Sequence, residues 1–390
     1  MDAINFLRQL HEEIGSAQGS AKKHILHFRN LRDYRLCKVE LERLKTSLSG
    51  LSSVQDLQII HAFSCSLDSN QKLAEGQYPI YIEEDCKMKV HDNPSPKKGK
   101  QVHSLNQLVK SPVIPWGVGQ IKAPEAWKQS LGNHVSIGVI DTGVDYNHPD
   151  LRQAVSRGVN LIHRHLLPFD DNGHGTHISG TIAAAGSANG IIGVAPRANI
   201  HPVKAFDQNG SAYVSDIIAG IDWCVQNNLD VINMSFGMKT YNKSLELAVL
   251  NAYHAGKVIV ASSGNDGHKA AIDYPARFPQ VVSVGAMTKN NKIAIFSNRG
   301  RRIDVYAPGE RVYSAWLHGA YNELSGTSMA TAHVSGVIAL MLSMRPRLAP
   351  LQIKTILRRY SNSLSKNRKV RWQPGQLNAR RVLNALNKDK

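Results

Sequence analysis

Three separate segments carry the residue types of nucleophilic catalysis. Asp141 directly follows the apolar run SIGVI, His174 stands between two glycines at the start of a helical stretch, and Ser328 leads into a long apolar helix. A carboxylate can fix the orientation and tautomer of a histidine, and a histidine that titrates near neutrality can take the proton of a serine. Together they would perform attack of a serine on a carbonyl carbon.

Each of these residues also has an ordinary structural interpretation. An aspartate that ends a strand often caps a turn, and a serine at a helix start can be a simple N-cap. His174 and His177 could suggest a metal, but they lack the i, i+4 spacing and a third ligand. The order Asp, His, Ser favours one shared site, and Asn265, which follows another apolar run, could donate its amide to an oxyanion.

The elements that must position these residues alternate in type. The apolar runs HVSIGVID, LDVINMSFG, GKVIVASSG and QVVSVGA alternate with the helical stretches SDIIAGIDWCVQ and SLELAVLNAYHA. Buried strands that alternate with helices are typical of a parallel sheet covered on both faces. The sequence therefore predicts an α/β fold with an open parallel sheet, and such a sheet places its site where strands end and helices begin.

The first part of the chain has a different pattern. Residues 1–20 predict a short amphipathic helix, which we expect to be a peripheral N-terminal extension. Residues 21–91 read strand, helix, strand, turn, strand and predict a small α+β domain. Residues 92–111 concentrate proline, glycine and lysine, as an exposed linker open to proteolysis does, and the catalytic domain then occupies residues 112–390.

Composition narrows the classes of partner and compartment. The net charge is +17, but the basic clusters are not interleaved with aromatics, which favours a solvated surface and makes nucleic acid an unlikely partner. No apolar run is long enough to predict a membrane span. The start of the chain lacks a signal-peptide pattern, so we expect a cytoplasmic protein, the alternative being secretion from a longer precursor or by a non-standard route. The basic clusters are Arg299, Arg301 and Arg302; Lys97, Lys98 and Lys100; and residues 358–371.

The motifs GVIDTGVDYNHPDL, NGHGTHISGTIAA, VINMSFG, SSGND and GTSMATAHVSG stand in this order along the chain. In this the chain resembles the subtilisin family of serine proteases, whose triad order is Asp, His, Ser. The resemblance implies that Ser328 is the nucleophile, His174 the general base, Asp141 the orienting carboxylate and Asn265 the oxyanion donor. It implies an endopeptidase for protein or peptide substrates that needs no cofactor for catalysis. A non-catalytic relative would usually lack a member of the triad, whereas all three residues are present here together with Asn265.

The same resemblance implies a set of substrate contacts. The residues implied are Ser235, Phe236, Gly237 and Gly264 on one side of the cleft, Gly210 and Ser211 on the other, and Asp273 at the base of the primary specificity pocket. A carboxylate at the pocket base would favour lysine or arginine in the substrate. The alternative is that Asp273 points to solvent or pairs with nearby Arg277.

Two further features follow from the resemblance. Residues 21–91 resemble a subtilisin-type propeptide, and the letters YIEED match the family's last propeptide strand. Such a propeptide is a chaperone and inhibitor of its own enzyme, and the resemblance implies processing near His91. Asp150 matches the carboxylate of the family's calcium site, and residues 185–191 match its loop. Pro112 and Ser187 stand where amide ligands are usual, so a structural Ca²⁺ would be held weakly or mainly by carbonyls.

Overall fold

The computed structural model describes residues 1–16, 21–68, 78–91, 111–364 and 373–388. The helices are α1 Ala3–Ser16, α2 Leu31–Leu44, α3 Trp116–Gln120, α4 Ala123–Ala126, α5 His174–Ala183, α6 Val214–Gln226, α7 Lys243–His254, α8 Thr327–Met344, α9 Pro350–Tyr360 and α10 Ala379–Lys388. The strands are β1 Ala21–Phe28, β2 Gln55–Leu57, β3 Ala62–Asp68, β4 Ile80–Glu84, β5 Lys87–Val90, β6 Ser136–Asp141, β7 Val159–Asn160, β8 Asn199–Lys204, β9 Ser211–Tyr213, β10 Val231–Met234, β11 Phe236–Gly237, β12 Val258–Ser262, β13 Val282–Met287, β14 Val305–Pro308, β15 Val312–Ala315, β16 Tyr321–Leu324 and β17 Gly375–Gln376.

A parallel sheet of eight strands forms the centre of the larger domain. Its order is β17-β14-β13-β12-β10-β6-β8-β7, and the registered strand pairs are all parallel. Apolar side chains alternate between its two faces. Val139 packs with α5 and α8 on one face, while Ile140 packs with α6 and α7 on the other. The predicted α/β class, with a parallel sheet covered on both faces, is confirmed.

Helix α8 runs through the middle of this domain. It is long and apolar enough to cross a membrane by length and composition, contrary to the expectation that no such segment exists. However, 89% of its residues are buried inside the protein, where it contacts β10, β12, β13 and β14. The apolar character of α8 is therefore explained by its place in the core.

The N-terminal unit, which we define as the described part of residues 1–91, has its own core. Its antiparallel sheet has the order β2-β3-β1-β4, and α2 packs on one face of it. Helix α1 is not the peripheral element that the sequence suggests, because Phe6, Leu7 and Leu10 are fully buried with α2 and β3. The spacing of these residues produces one apolar stripe, and the open sheet of a small domain leaves a face for it to cover.

The opposite face of that small sheet packs on the larger domain. Ile25 and Leu57 share a cluster with residues of α6 and α7, whereas Leu26, the next residue along β1, points into the core of the N-terminal unit. Because successive side chains of a strand point to opposite faces, one strand contributes to both cores. The last strand of the unit, β5, extends away from this small sheet and pairs with β11 and β9 of the larger domain.

Candidate active site

Asp141 and His174 form a buried hydrogen-bonded pair. Asp141 is the last residue of β6 and His174 the first of α5, so a strand end and a helix start bring them together. Nδ1 of His174 lies 2.7 Å from Oδ1 of Asp141, which also accepts the amide of Thr142 at 2.8 Å. Both residues are fully buried. Burial raises the pKa of Asp141, and the hydrogen bond and charge of His174 oppose that rise.

The loop before His174 is organised by a carboxylate that the sequence did not single out. Asp170 is fully buried and accepts four of its bonds from the amides of Asn172, Gly173 and Thr176 and from the Thr176 hydroxyl, at 2.6 to 3.0 Å. The hydroxyl of Thr142 donates to it as well, at 2.8 Å. Asp170 therefore positions the turn from which His174 projects. The only signal in the sequence is an aspartate just before an Asn-Gly turn.

Ser328 is the second residue of α8 and does not cap that helix. The N-cap is Gly326, which has no side chain to do so. The Oγ of Ser328 lies 2.9 Å from the carbonyl oxygen of Ser235 and 3.0 Å from that of His91. Its hydroxyl thus faces the cleft between α8 and β11. It lies at the N-terminus of α8, where the unpaired backbone amides favour negative charge.

Asn265 lies in the loop after β12 and faces the carbonyl group of His91. Its Nδ2 donates to the His91 oxygen at 2.9 Å, while its Oδ1 accepts the amide and the hydroxyl of Thr327, each at 2.9 Å. Asn298 holds the loop through Nδ2, which donates to the carbonyl oxygens of Ser263 and Ala271 at 3.0 and 2.8 Å. Thr327 and Asn298 are orienting residues that sequence reasoning missed, because polar residues of this kind occur throughout the chain.

The tail of the N-terminal unit occupies the cleft as an added strand. β5 pairs antiparallel with β11 on one side and with β9 on the other. The amide of Val90 donates to the Gly210 oxygen at 3.1 Å, and the amide of His91 donates to the Ser235 oxygen at 3.2 Å. Phe236 and Gly237 of β11 pair with Val90 and Lys89, and Ser211 of β9 pairs with Lys89 from the other side. The structure thus brings the predicted cleft residues together around one extended segment.

The imidazole of His91 enters the primary pocket, which we define by Ser262, Asp273, Gly237 and Gly264. Its Nδ1 lies 2.7 Å from Ser262 Oγ and its Nε2 lies 3.0 Å from Asp273 Oδ2. A Cβ at Gly237 would come within 2.5 Å of the ring, and one at Gly264 within 2.8 Å of Asp273 Oδ2. Glycine at both positions therefore leaves room for the ring and the carboxylate.

The sequence left open whether Asp273 lies at the base of the pocket or at the surface, and in the structure it lies in the pocket. The residue is 4% exposed and its side chain faces His91. Arg277 does not pair with it: the guanidinium lies 4.6 Å from the centre of the Tyr274 ring and donates through Nε to the Ile272 oxygen. Asp273 is therefore a buried carboxylate at the base of the pocket.

The candidate metal ligands do not converge. His177 turns away from His174, lies within hydrogen-bond distance of the backbone oxygens of Val312 and Asn322, and has its pKa lowered by burial to about 3. Across the described ranges no three His, Cys, Asp or Glu residues are grouped as metal ligands would be. The two-histidine segment thus has a structural explanation for its second histidine.

Asp150 is already saturated by protein donors. Its Oδ1 accepts the amide and hydroxyl of Ser187, and its Oδ2 accepts the amide of Ile191 and the hydroxyl of Tyr321, the amides and the Tyr321 hydroxyl at 2.8 Å. Both oxygens are thereby directed at N–H and O–H groups rather than at a cavity. Carboxylate oxygens that bind Ca²⁺ must face the ion, so the side chains as they lie do not fit one.

Comparisons with known proteins agree with this geometry. The family model described as the Subtilase family matches residues 132–376. Subtilisin E of Bacillus subtilis (strain 168) is 36% identical over 315 residues, which cover 80% of this chain and 81% of that protein. The thermostable alkaline protease of Halalkalibacterium halodurans is 35% identical over 317 residues, covering 81% and 83%. Subtilisin of Bacillus pumilus is 42% identical over 246 residues, covering 62% and 89%.

Proposed function

Because the chain belongs to the subtilase family and is a serine endopeptidase, we propose that Ser328, His174 and Asp141 carry its hydrolysis of peptide bonds. One observation carries the proposal. Ser328 Oγ and Asn265 Nδ2 converge on a single carbonyl oxygen, that of His91, at 3.0 and 2.9 Å. A peptide carbonyl held between a serine hydroxyl and an amide donor is the arrangement that acyl transfer requires.

The chemistry follows from these positions. As Ser328 Oγ bonds to the carbonyl carbon, its proton passes to Nε2 of His174, because Nδ1 is engaged by Asp141. The oxyanion that forms is stabilised by the Asn265 amide and by the amides at the start of α8. The same proton then goes to the leaving amine as the C–N bond breaks, and water hydrolyses the ester by the reverse sequence.

The N-terminal unit acts, in this proposal, as a self-cleaved inhibitor. Residues 87–91 lie in the cleft in the extended form of a substrate, with the His91 carbonyl at Ser328, so the bond after His91 is the one to be cut. Of the linker and processing region at 92–111, residues 92–110 lie outside the described residues, and with them the basic cluster at Lys97, Lys98 and Lys100. Full burial of the three catalytic side chains supports inhibition by this tail, because no substrate reaches them while it is bound.

The test is labelling with a fluorophosphonate probe together with intact-mass analysis. We expect the wild-type protein to be cut after His91 and, once the cut N-terminal unit has been removed, to carry the probe on Ser328. Ser328→Ala should abolish both, whereas Ser325→Ala, the same change three residues earlier, should keep both. Normal cleavage of the Ser328→Ala precursor in the absence of other proteases would refute self-processing, and absence of labelling after the N-terminal unit is removed would indicate a non-catalytic relative.

For the loop at 185–191 we infer closure without an ion, the four donors to Asp150 doing what Ca²⁺ does in the expected site. Chelation should then leave the melting temperature within about 1 °C, since a ligand that does not bind the native state cannot stabilise it. Ser187→Ala should cost about 2 kcal/mol in the free energy of unfolding, by loss of one hydrogen bond to a charged group. A rise of several degrees on addition of Ca²⁺ would contradict this closure.

The comparisons give no support to a cytoplasmic location, and similarity to subtilisins fits the secreted alternative. Secretion is accordingly part of the proposed function. Fractionation of the source cells, with the antibody signal of the mature domain found in the medium rather than in the cells, is the expected result.

A further inference from the structure

The primary pocket holds two polar groups, each of which lies within hydrogen-bond distance of one nitrogen of the same imidazole ring. Ser262 Oγ faces Nδ1 at 2.7 Å and Asp273 Oδ2 faces Nε2 at 3.0 Å. Ser262 is the last residue of β12 and is fully buried, while Asp273 is 4% exposed. Buried polar groups without partners are costly, so the pocket favours a side chain that satisfies both at once.

We propose that the primary pocket selects histidine on the acyl side of the cleaved bond, in preference both to apolar residues and to lysine or arginine. This inference rests on the proposed function, since it assigns the substrate class of the same site. It refines the expectation from sequence, in which Asp273 alone indicates a preference for lysine or arginine.

The backbone on both sides of the ring fixes the depth of the pocket. The amide of His91 donates to Ser235 and its carbonyl oxygen is held by Asn265 and Ser328. At the base, the backbone amide of Asp273 donates to the backbone oxygen of Ser263 at 3.0 Å. The backbone oxygen of Asp273 accepts the amide of Arg277 at 2.9 Å. With both ends anchored, an imidazole just reaches the carboxylate, and the longer stems of lysine and arginine would have to fold back.

The pocket also accepts either protonation state of the ring. Asp273 accepts from Nε2–H in both states, and the Ser262 hydroxyl can donate to a bare Nδ1 or accept from a protonated one. An apolar ring of similar size would leave the Asp273 carboxylate desolvated without a donor. Selection against phenylalanine therefore has a different cause, loss of hydrogen bonds, from selection against lysine, which is a matter of length.

The experiment compares peptide substrates that differ only in the residue before the cut. Self-processed protein freed of its N-terminal unit, with active sites counted by the fluorophosphonate probe, is given Lys-Met-Lys-Val-X joined to a coumarin leaving group, with X as His, Phe, Gln, Lys or Arg. We expect kcat/KM for histidine to exceed that for each other residue by about tenfold or more, since one satisfied buried polar group is worth at least that much.

Two variants locate the preference in the pocket. Ser262→Ala and Asp273→Asn should each lower the ratio of kcat/KM for histidine to that for phenylalanine by about tenfold. Asp266→Asn is the matched control, since this exposed carboxylate in the same loop pairs with Lys239 outside the pocket, and the ratio should not change.

The pocket inference and the proposed function fail on different results. If the probe labels Ser328 but the phenylalanine, lysine or arginine substrate is cleaved as fast as the histidine substrate, the pocket inference is overturned and the proposed function stands. No labelling and no cleavage of any substrate would refute the proposed function, and the inference would fall with it. If a variant does not fold, the series on the unmodified protein still decides, because the preference is measured there directly.

Discussion

The N-terminal unit touches the peptidase domain through two regions that differ in chemistry. Its tail, β5 with His91, is held by main-chain hydrogen bonds to β9 and β11, by the buried side chain of Met88 and by one ring in the primary pocket. Its sheet face is held by apolar side chains such as Ile25 and Leu57, packed with α6 and α7. The proposed cleavage after His91 would change only the tail, so we predict from this difference that the unit stays bound after it has been cut.

Three charged groups, one buried and two half-buried, lie beside the apolar face. The Lys23 ammonium lies 3.2 Å from Asp216 at the start of α6, and Asp85 accepts the amide of Ser215 at 3.1 Å. The pKa of Asp85 is raised to about 6, mainly by burial. The tail therefore contacts the catalytic residues, whereas the face brings a buried carboxylate with a raised pKa against α6, from which we predict an attachment that responds to pH.

The largest expected effect concerns the tail side. Asn265→Ala should lower kcat by roughly 100- to 1000-fold, the loss known for removal of this donor in a subtilisin, and should slow self-cleavage to match. Binding of the sheet face should not change. Initial rates on a peptide substrate and the time course of precursor conversion measure the effect, with the exposed Asn290→Ala as the control. An unchanged kcat would mean that Asn265 does not stabilise the oxyanion.

The next largest effect separates the two faces of β1. Ile25→Ala removes apolar contact with the peptidase domain at a cost of about 2 kcal/mol or more, which weakens the cleaved complex about thirtyfold. Leu26→Ala makes the same kind of cavity inside the N-terminal unit instead. The weakening caused by Ile25→Ala is measured by size-exclusion chromatography of the self-processed protein, as the concentration at which the cleaved complex dissociates.

Hydrogen exchange of the uncut Ser328→Ala precursor distinguishes these two variants. Leu26→Ala should raise exchange in α2, which packs on that side of the sheet, whereas Ile25→Ala should leave α2 protected. Equal exposure of α2 in both would show that the two faces are not energetically separate.

A smaller effect is the pH dependence of the complex. Burial holds the pKa of Asp85 at about 6 in the complex, above its ordinary value of 3.8. We expect release of the unit to expose Asp85, so the complex should favour the protonated acid and be tightest at low pH. Its affinity should fall as the pH rises through 6, by about tenfold between pH 5 and pH 7.5. Burial of Asp216 acts in the same direction, and Glu83, whose pKa is lowered, is already ionised over this range.

The pH dependence is measured as the dissociation constant of the self-cleaved complex across this range. Asp85→Asn should flatten the curve, while Asp68→Asn, a carboxylate at the far end of β3, should leave it as it is. A curve that stays steep in Asp85→Asn would assign the dependence to another group.

The smallest expected effect is at the edge of the face. The Ser244 hydroxyl lies 2.6 Å from His27 Nε2 and donates to Glu83. Glu83 also accepts from the Asn242 side chain at 2.8 Å, so Ser244→Ala leaves it partly satisfied. The complex should weaken by no more than about fivefold, or about 1 kcal/mol, and a loss comparable to that of Ile25→Ala would contradict the dominance of apolar contact.

Much of this architecture could be predicted from local sequence. Strand runs such as SIGVI and helical runs such as SDIIAGIDWCVQ have periods that distinguish them, and the catalytic residue types stand at the junctions between them. The site could be predicted because an open parallel sheet collects its strand ends at one edge. The peripheral placement of α1 was wrong, since nothing local reveals that Phe6 has a sheet to cover.

The sequence by itself determined the order of elements and the residue types of the site. Tertiary structure alone decided that the donors from Ser187, Ile191 and Tyr321 fill Asp150, and that His91 meets Asp273 across 182 positions of the chain. The physical reason is that periodicity and capping act over a few residues, whereas the partner of a buried polar group is set by which distant segments pack against it.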